Sequence, residues 1–252
     1  DYSIQAYSRK VKALTHSSYA GFAPQFNNNT ALTYLTQGRE VTQRGLKLFG
    51  GQVFNDDQAT SINLKEFGLN TDILHLYTHA VSSDSSYNAS YIQLSDKQVF
   101  VDEIMTMHFQ NQLCLLTACE VGMGKNYSGE GVTGVAWAFR AAGAQNVVQS
   151  LWRINQESSA TLMQDFFLSL SDNQSSTAAL KFAKLSYLNN PDVSERLKHP
   201  YYWAGMSHFG PGTTINKKRN YTWLLIGVIG LFTAFLGAKG ISKLRNRRTT
   251  IH

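Results

Sequence analysis

ILHLYTHA at residues 73–80 and LCLLTACE at residues 113–120 decide the reading of this chain. Each opens with a short apolar run, 73–78 and 113–118, bounded by polar residues, and a third run, NVVQSLW, follows at 146–152. Runs of this length separated by helical patterns read as parallel strands covered on both faces. Ligands of such a sheet sit beyond the C-terminal strand ends. His79 follows the first run and Cys119 the second. Each alone reads as a loop histidine or an ordinary buried cysteine. At the ends of adjacent strands they become a thiol nucleophile and its base: the imidazole takes the thiol proton, and the thiolate attacks a carbonyl. That the two strands are adjacent is assumed at this point.

Outward from this core, 18–23 and 51–54 read as strands with a helix at 39–49 between them, and 57–67 as a short helix. Residues 91–94 and 98–101 flank Ser95-Asp96-Lys97 as a hairpin. A helix is expected over 132–142, stopped at Gly143. Asn155 is placed to cap the next helix, which ends near Leu170, and a further helix covers 176–188. A final strand is expected at 202–209. There is no internal repeat, and 18–210 reads as one α/β domain.

Other site motifs fail on their spacing. Residues 129–134, GEGVTG, fit GxGxxG, but they begin ten positions after Cys119, and the next strand ends in Trp152-Arg153 where a ribose-binding acid would stand. Lys125, six after Cys119, stands where a phosphatase loop needs Arg. Gly124-Lys125-Asn126 lacks the first glycine and the Ser/Thr of a P-loop. Cys114 and Cys119 lie too close, with Cys114 inside a strand, to make a metal knuckle, so no metal site is expected and no cofactor is called for. Cys114 reads as core, and His75 as a hydrogen-bonded core histidine. His199 and His208 have no partner spacing.

ILHLYTHA, then LLTACEVGMGKNYSGEGVTGVAWAFRAAGAQNVVQSLWRINQESSATLM, then HPYYWAGMSHFG, with AGFAPQF and GREVTQRGLKLFGGQVFNDDQAT upstream, closely resemble the CHAT domain. The resemblance covers about 15–210. It implies a caspase-like α/β fold, a mostly parallel sheet of about six strands with helices on both faces. It also implies a cysteine endopeptidase with His79 as general base and Cys119 as nucleophile, and an oxyanion hole from the backbone N–H groups of Ala80 and Cys119. Glu120, Trp152, Arg153 and Asn155 are the candidates for substrate contact. The sequence departs from the family in three places. Ala80 replaces a glycine usual after the histidine, Thr117 replaces a serine, and Arg153-Ile154-Asn155-Gln156 stands where relatives carry acidic residues. The glycine-rich 129–134 is then expected to be a tight turn that lets the next helix pack close behind the nucleophile strand. Such domains often follow tetratricopeptide repeats, so an upstream repeat region is the expected sensor.

The chain has 252 residues, 43% of them hydrophobic, ample for one sizeable core, and its two cysteines exclude a disulfide scaffold. The net charge of +6 invites a nucleic-acid reading until it is located. Residues 1–216 hold fifteen Lys and Arg against seventeen Asp and Glu, a net of −2. The last 36 residues hold eight basic residues and no acidic one. The body offers no basic face for phosphates, so nucleic acid is not an expected partner.

The basic tail encloses NYTWLLIGVIGLFTAFLGA at 220–238. Eighteen helical residues reach about 27 Å, near the ~30 Å of a bilayer core. Residues 221–238 are therefore read as a transmembrane helix, with interfacial Tyr221 and Trp223 at one end and Lys239 at the other. Gly230, Ala234 and Ala238 form a small-residue stripe suited to a helix–helix dimer. Three basic residues precede the span and five follow it, which leans toward an external catalytic domain and a cytoplasmic tail. We expect a single-pass protein of a bacterial plasma membrane. Its parts are a linker or the end of an upstream region (1–14), the peptidase domain (15–210), a juxtamembrane linker (211–220), the span (221–238) and a basic tail (239–252). Asp1 in place of an initiator Met suggests the end of a longer or processed protein. Two rival readings share the fold: a catalytically silent interaction or signalling module at the membrane, and an esterase or transferase using the same dyad.

Overall fold

The computed structural model describes residues 18–26, 35–81, 89–117, 125–127, 131–152 and 154–215. The chain divides into two compact units, Asp1–Lys217 and Lys218–His252. The expected span at 221–238, its small-residue stripe, the basic tail, the linker at 1–14 and half of the juxtamembrane linker (216–220) lie outside the described residues, as do Cys119, Glu120 and Arg153. Among the described residues no helix is long and apolar enough to cross a membrane.

The chain enters as strand β1 (Tyr19–Ala23), turns through helix α1 (Gly38–Phe49) and returns as β2 (Gly51–Asn55). Helix α1 buries Val41, Thr42, Gly45 and Phe49 on one face. Its reversal into β2 requires Gly51: φ is +115°, and a Cβ there would come within 2.6 Å of the Tyr19 backbone nitrogen. The stretch expected as one helix over 57–67 is three short pieces, a 3₁₀ turn (Asp56–Gln58), a turn of α-helix (Ser61–Asn63) and a π-helical turn (Leu64–Gly68). The Thr60 side chain caps at Asn63 N, and Asp96 accepts from both Ser61 N and Ser61 Oγ, so local bonds divide the stretch.

Strands β3 (Ile73–Leu76) and β4 (Ala80–Val81) follow, then the expected hairpin as β5 (Tyr91–Gln93) and β6 (Gln98–Phe100), and a six-residue helix α2 (Val101–Thr106). After β7 (Leu113–Leu116), strands β8 (Lys125–Tyr127) and β9 (Gly131–Thr133) pair antiparallel. Part of the glycine-rich run therefore forms a strand, and helix α3 (Val135–Ala141) begins three residues later than expected, because pairing claims 131–133 first. Next come β10 (Val147–Ser150), helices α4 (Gln156–Ser171) and α5 (Ser176–Asn189), and β11 (Met206–Phe209). The last strand is shorter than expected because a 3₁₀ turn at Pro200–Tyr202 precedes it.

The main sheet has six strands in the order β11-β10-β7-β3-β1-β2. Five run parallel, and β11 pairs antiparallel to β10. Alternate residues enter separate cores. Leu74, Leu76, Cys114, Leu116 and Val147 pack with Leu64, Ile104, Val135 and Phe139 on the side of α2 and α3. Ile73, Leu113, Leu115 and Val148 pack with Val41, Phe49, Met163, Phe167 and Leu180 on the side of α1, α4 and α5. Double coverage explains why β3 and β7 are apolar without interruption apart from His75. The 3₁₀, α and π turns aside, this is the layered α/β arrangement expected.

Candidate active site

Strands β3 and β7 are direct neighbours, parallel, in register Ile73 to Leu113 and Leu76 to Leu116. The adjacency that the sequence could only assume is thus present. His79 stands three residues past Leu76, and Cys119 stands three residues past Leu116. The two positions are therefore equal steps from one rung of a ladder whose strands lie about 4.8 Å apart.

His79 is held from its own backbone. Its carbonyl accepts from Gln93 N at 2.8 Å, and Thr78 Oγ1 donates to the Gln93 carbonyl. Its ring lies 5.3 Å from that of Phe26, centroid to centroid. Phe26 was not singled out in the sequence. The available signal was its position just past β1, the other neighbour of β3, which brings it to the same sheet edge.

Ala80 lies opposite Ile92 in the β4–β5 pair. Because Gln93 N bonds to the carbonyl of His79, residues 79 and 93 form a bonded rung, and Ala80–Ile92 is the non-bonded rung that follows. The N–H of Ala80 thus points away from β5. The residue does not need glycine's freedom: among the described non-glycine residues only Asp56 and Asn173 have positive φ. Alanine in place of the usual glycine therefore costs no backbone strain here.

Beyond β10, Trp152 donates through Nε1 to the Tyr201 carbonyl at 2.8 Å and stacks on the Tyr201 ring. A Cβ on Gly205 would come within 2.7 Å of the Trp152 ring, so a glycine is needed beneath it. Since β10 is parallel to β7, this aromatic pair borders the same edge as His79. Tyr201 is 49% exposed there. Asn155 is committed in part elsewhere: its Oδ1 caps α4 by accepting from Ser158 N at 2.9 Å.

His75, His199, His208 and Cys114 have structural partners or settings. His75 is fully buried in β3, with Nδ1 2.7 Å from Tyr19 Oη and Nε2 2.9 Å from Thr117 Oγ1. Burial pushes its imidazole down to about 3, so it is neutral. His208 Nε2 meets Ser176 Oγ at 2.8 Å, and His199 Nδ1 accepts from Tyr201 N. Cys114 is fully buried, and burial pushes its thiol up, the opposite of what a nucleophile needs. Among the described residues no three His, Cys, Asp or Glu side chains gather as metal ligands.

The CHAT domain family matches residues 19–211. Tetratricopeptide repeat protein 28 of Mus musculus is 25% identical over 215 residues, covering 85% of this chain. The chain spans only 8% of that relative's length. Among solved structures, the separase–securin complex of Saccharomyces cerevisiae is similar over 83% of this chain and 13% of that one, with a TM-score of 0.57 and 14% identity. The Arg-specific cysteine proteinase gingipain R matches over 79% of this chain and 46% of its own (TM-score 0.51, 9% identity). Caspase-1 of Spodoptera frugiperda matches over 81% and 93% (TM-score 0.50, 13% identity). At these identities the likeness is one of fold, and that fold is caspase-like.

Proposed function

The chain belongs to the CHAT domain family, and from that premise we propose that it is a cysteine endopeptidase using His79 and Cys119. The equal offset of the two residues from the Leu76–Leu116 rung carries the reading. Two parallel strands with the same overhang present their next residues at one edge, about one strand spacing apart. His79 takes the proton from Cys119 Sγ, and the thiolate attacks the carbonyl carbon of a peptide bond. The N–H of Ala80, pointing away from its ladder, and that of Cys119 receive the oxyanion. The imidazolium then gives its proton to the departing amine, leaving an acyl-enzyme. Water, deprotonated by His79, releases the acid and restores the thiol.

The aromatic pair Trp152–Tyr201, with Glu120, Arg153 and Asn155 nearby in sequence to the two strand ends, is proposed to contact the substrate chain. A tetratricopeptide-repeat region upstream would sense the activating partner. The relative in mouse, itself a tetratricopeptide repeat protein, supports that context. Residues 221–238 are proposed as a single-pass plasma-membrane anchor, able to pair through Gly230, Ala234 and Ala238.

The test is hydrolysis of a mixture of unstructured peptides by the full chain, read by mass spectrometry. Cys119→Ala and His79→Ala should each abolish new N-termini, and a peptidyl electrophile should label Cys119 in the parent protein only while His79 is present. Hydrolysis that survives Cys119→Ala at the parent rate refutes the reading. A folded parent chain that neither cleaves nor labels selects the silent module instead.

A further inference from the structure

Three polar groups stand among the apolar residues of the neighbouring strands β1, β3 and β7. Tyr19 on β1, His75 on β3 and Thr117 at the end of β7 are at most 7% exposed and lie on three consecutive strands. Tyr19 Oη, the His75 imidazole and Thr117 Oγ1 form one continuous chain, with contacts of 2.7 and 2.9 Å. Polar groups in such a place must be paired, or each costs the desolvation of an unmet donor or acceptor. An apolar trio would have filled the space without that demand.

The chain is rigid at its far end. The Tyr19 ring sits in a cradle made by two glycines, since a Cβ on Gly21 would come within 2.7 Å of Cε1 and one on Gly45 within 2.5 Å of Cε2. Phe167 meets the Tyr19 ring edge-on at 6.0 Å and also meets the His75 ring, at 5.5 Å. Tyr19 therefore cannot shift, and His75 is held between it and Thr117. A neutral imidazole supplies one donor and one acceptor, so either tautomer completes both bonds. At the near end, Thr117 is also tied by its own N–H to the Leu76 carbonyl at 3.0 Å. Backbone and side chain together thus fix the last described residue of the strand. Cys119 follows two residues on.

We infer that Tyr19, His75 and Thr117 act as a positioning device for Cys119, setting where the chain leaves β7 and hence how closely the thiol approaches His79. The inference rests on the reading of Cys119 as nucleophile and His79 as base. It gives the threonine before Ala118-Cys119 a role that serine could also fill, because both carry the hydroxyl that His75 needs. It also explains why a histidine occupies the centre of an apolar strand. Its work is to hold two hydroxyls, and it exchanges no proton with substrate.

The experiment measures the rate of iodoacetamide alkylation of the full chain against pH, with Cys119→Ala as the baseline for Cys114. The midpoint of this profile reports how well His79 stabilises the thiolate, which a purely structural residue would not move in folded protein. His79→Ala should return the midpoint to the ordinary thiol range. Thr117→Val keeps the shape of the side chain and removes the hydroxyl. It should move the midpoint by about half a pH unit or more toward that of His79→Ala. Thr117→Ser should keep the parent profile. Tyr19→Phe removes the hydroxyl at the far end while leaving the ring in its cradle, and should shift the midpoint in the same direction. It carries the test if Thr117→Val does not fold. Parent profiles for folded Thr117→Val and Tyr19→Phe, alongside a displaced one for His79→Ala, overturn the positioning role and leave the dyad standing. A His79→Ala profile that coincides with the parent removes the dyad, and the positioning role with it.

Discussion

Gly45→Ala should destabilise the domain, against what a helix normally gains from that exchange. Gly45 lies within α1. Alanine there would gain about 1 kcal/mol of helix propensity over glycine. The new methyl group, however, would stand 2.5 Å from Tyr19 Cε2 and 2.7 Å from its hydroxyl, where carbon contacts settle near 3.5–4.0 Å. Relief requires the ring to move. Its hydroxyl is bonded to His75 Nδ1, Phe167 closes one side, and Tyr19 is 0% exposed. Overpacking a site that cannot yield costs about 1–3 kcal/mol, and this case belongs at the upper end. The net is a loss of about 2 kcal/mol, or roughly 4–8 °C in Tm for a domain of this size. Urea unfolding followed by tryptophan fluorescence measures it, with the slope checked to keep the comparison two-state. Gly50→Ala is the companion. No atom lies within 4 Å of its Cβ position, but φ is +70° and ψ 174°, a region that only glycine adopts readily, so the cost is backbone strain alone, about 1–3 kcal/mol. A Gly45→Ala protein as stable as the parent, or more so, would refute the cradle.

Asn155→Ala removes the side-chain cap of α4 and should cost about 1 kcal/mol in thermal unfolding followed by circular dichroism, while Asn155→Asp keeps most of it. If Asn155 also meets substrate, the Asp variant will raise KM while leaving Tm in place. The buried His75 predicts an acid-sensitive fold. Its folded-state value, about 3, lies below the ordinary 6.5, so between these values the unfolded chain binds a proton that the folded chain refuses. Stability is therefore fully present above about 6.5 and falls as pH drops toward 3. Urea midpoints at neutral and mildly acidic pH should show that decline, and His75→Gln, which cannot titrate, should flatten it.

The parts legible in the sequence were those set by local pattern and burial. The apolar runs before His79 and Cys119 are strands because both faces of the sheet are covered, and alternation would have obscured nothing. Asn155 announced its helix because capping is a local bond between near neighbours. What stayed hidden depends on partners distant in sequence. Residues 131–133 carry no strong strand signal and become β9 only through pairing with 125–127. The two residues of β4 exist only because β5 lies beside them. The stretch 56–68 has a helical composition, yet it breaks where Thr60 and Asp96 offer it other bonds. At the site, His79 and its strand were readable. The adjacency of β3 and β7 was not, since strand order leaves no mark on a single run. His75 was readable as a satisfied core residue, but its two partners, 56 and 42 residues away, were beyond reach.

The dyad proposed above turns on counting along β3 and β7. Each strand is a ruler graduated at about 3.3 Å, and the proposed dyad would depend on both rulers having the same number of marks after the Leu76–Leu116 rung. Substitution along either ruler changes packing but leaves the tally intact. Losing or gaining one residue turns the terminal side chain to the opposite face, and two restore the face but displace it by about 6.6 Å. If the dyad stands, drift among relatives in the residue types of the two strands is cheap so long as their lengths change together, whereas an insertion in one alone would part the proposed base from the proposed nucleophile however well the sheet still folds.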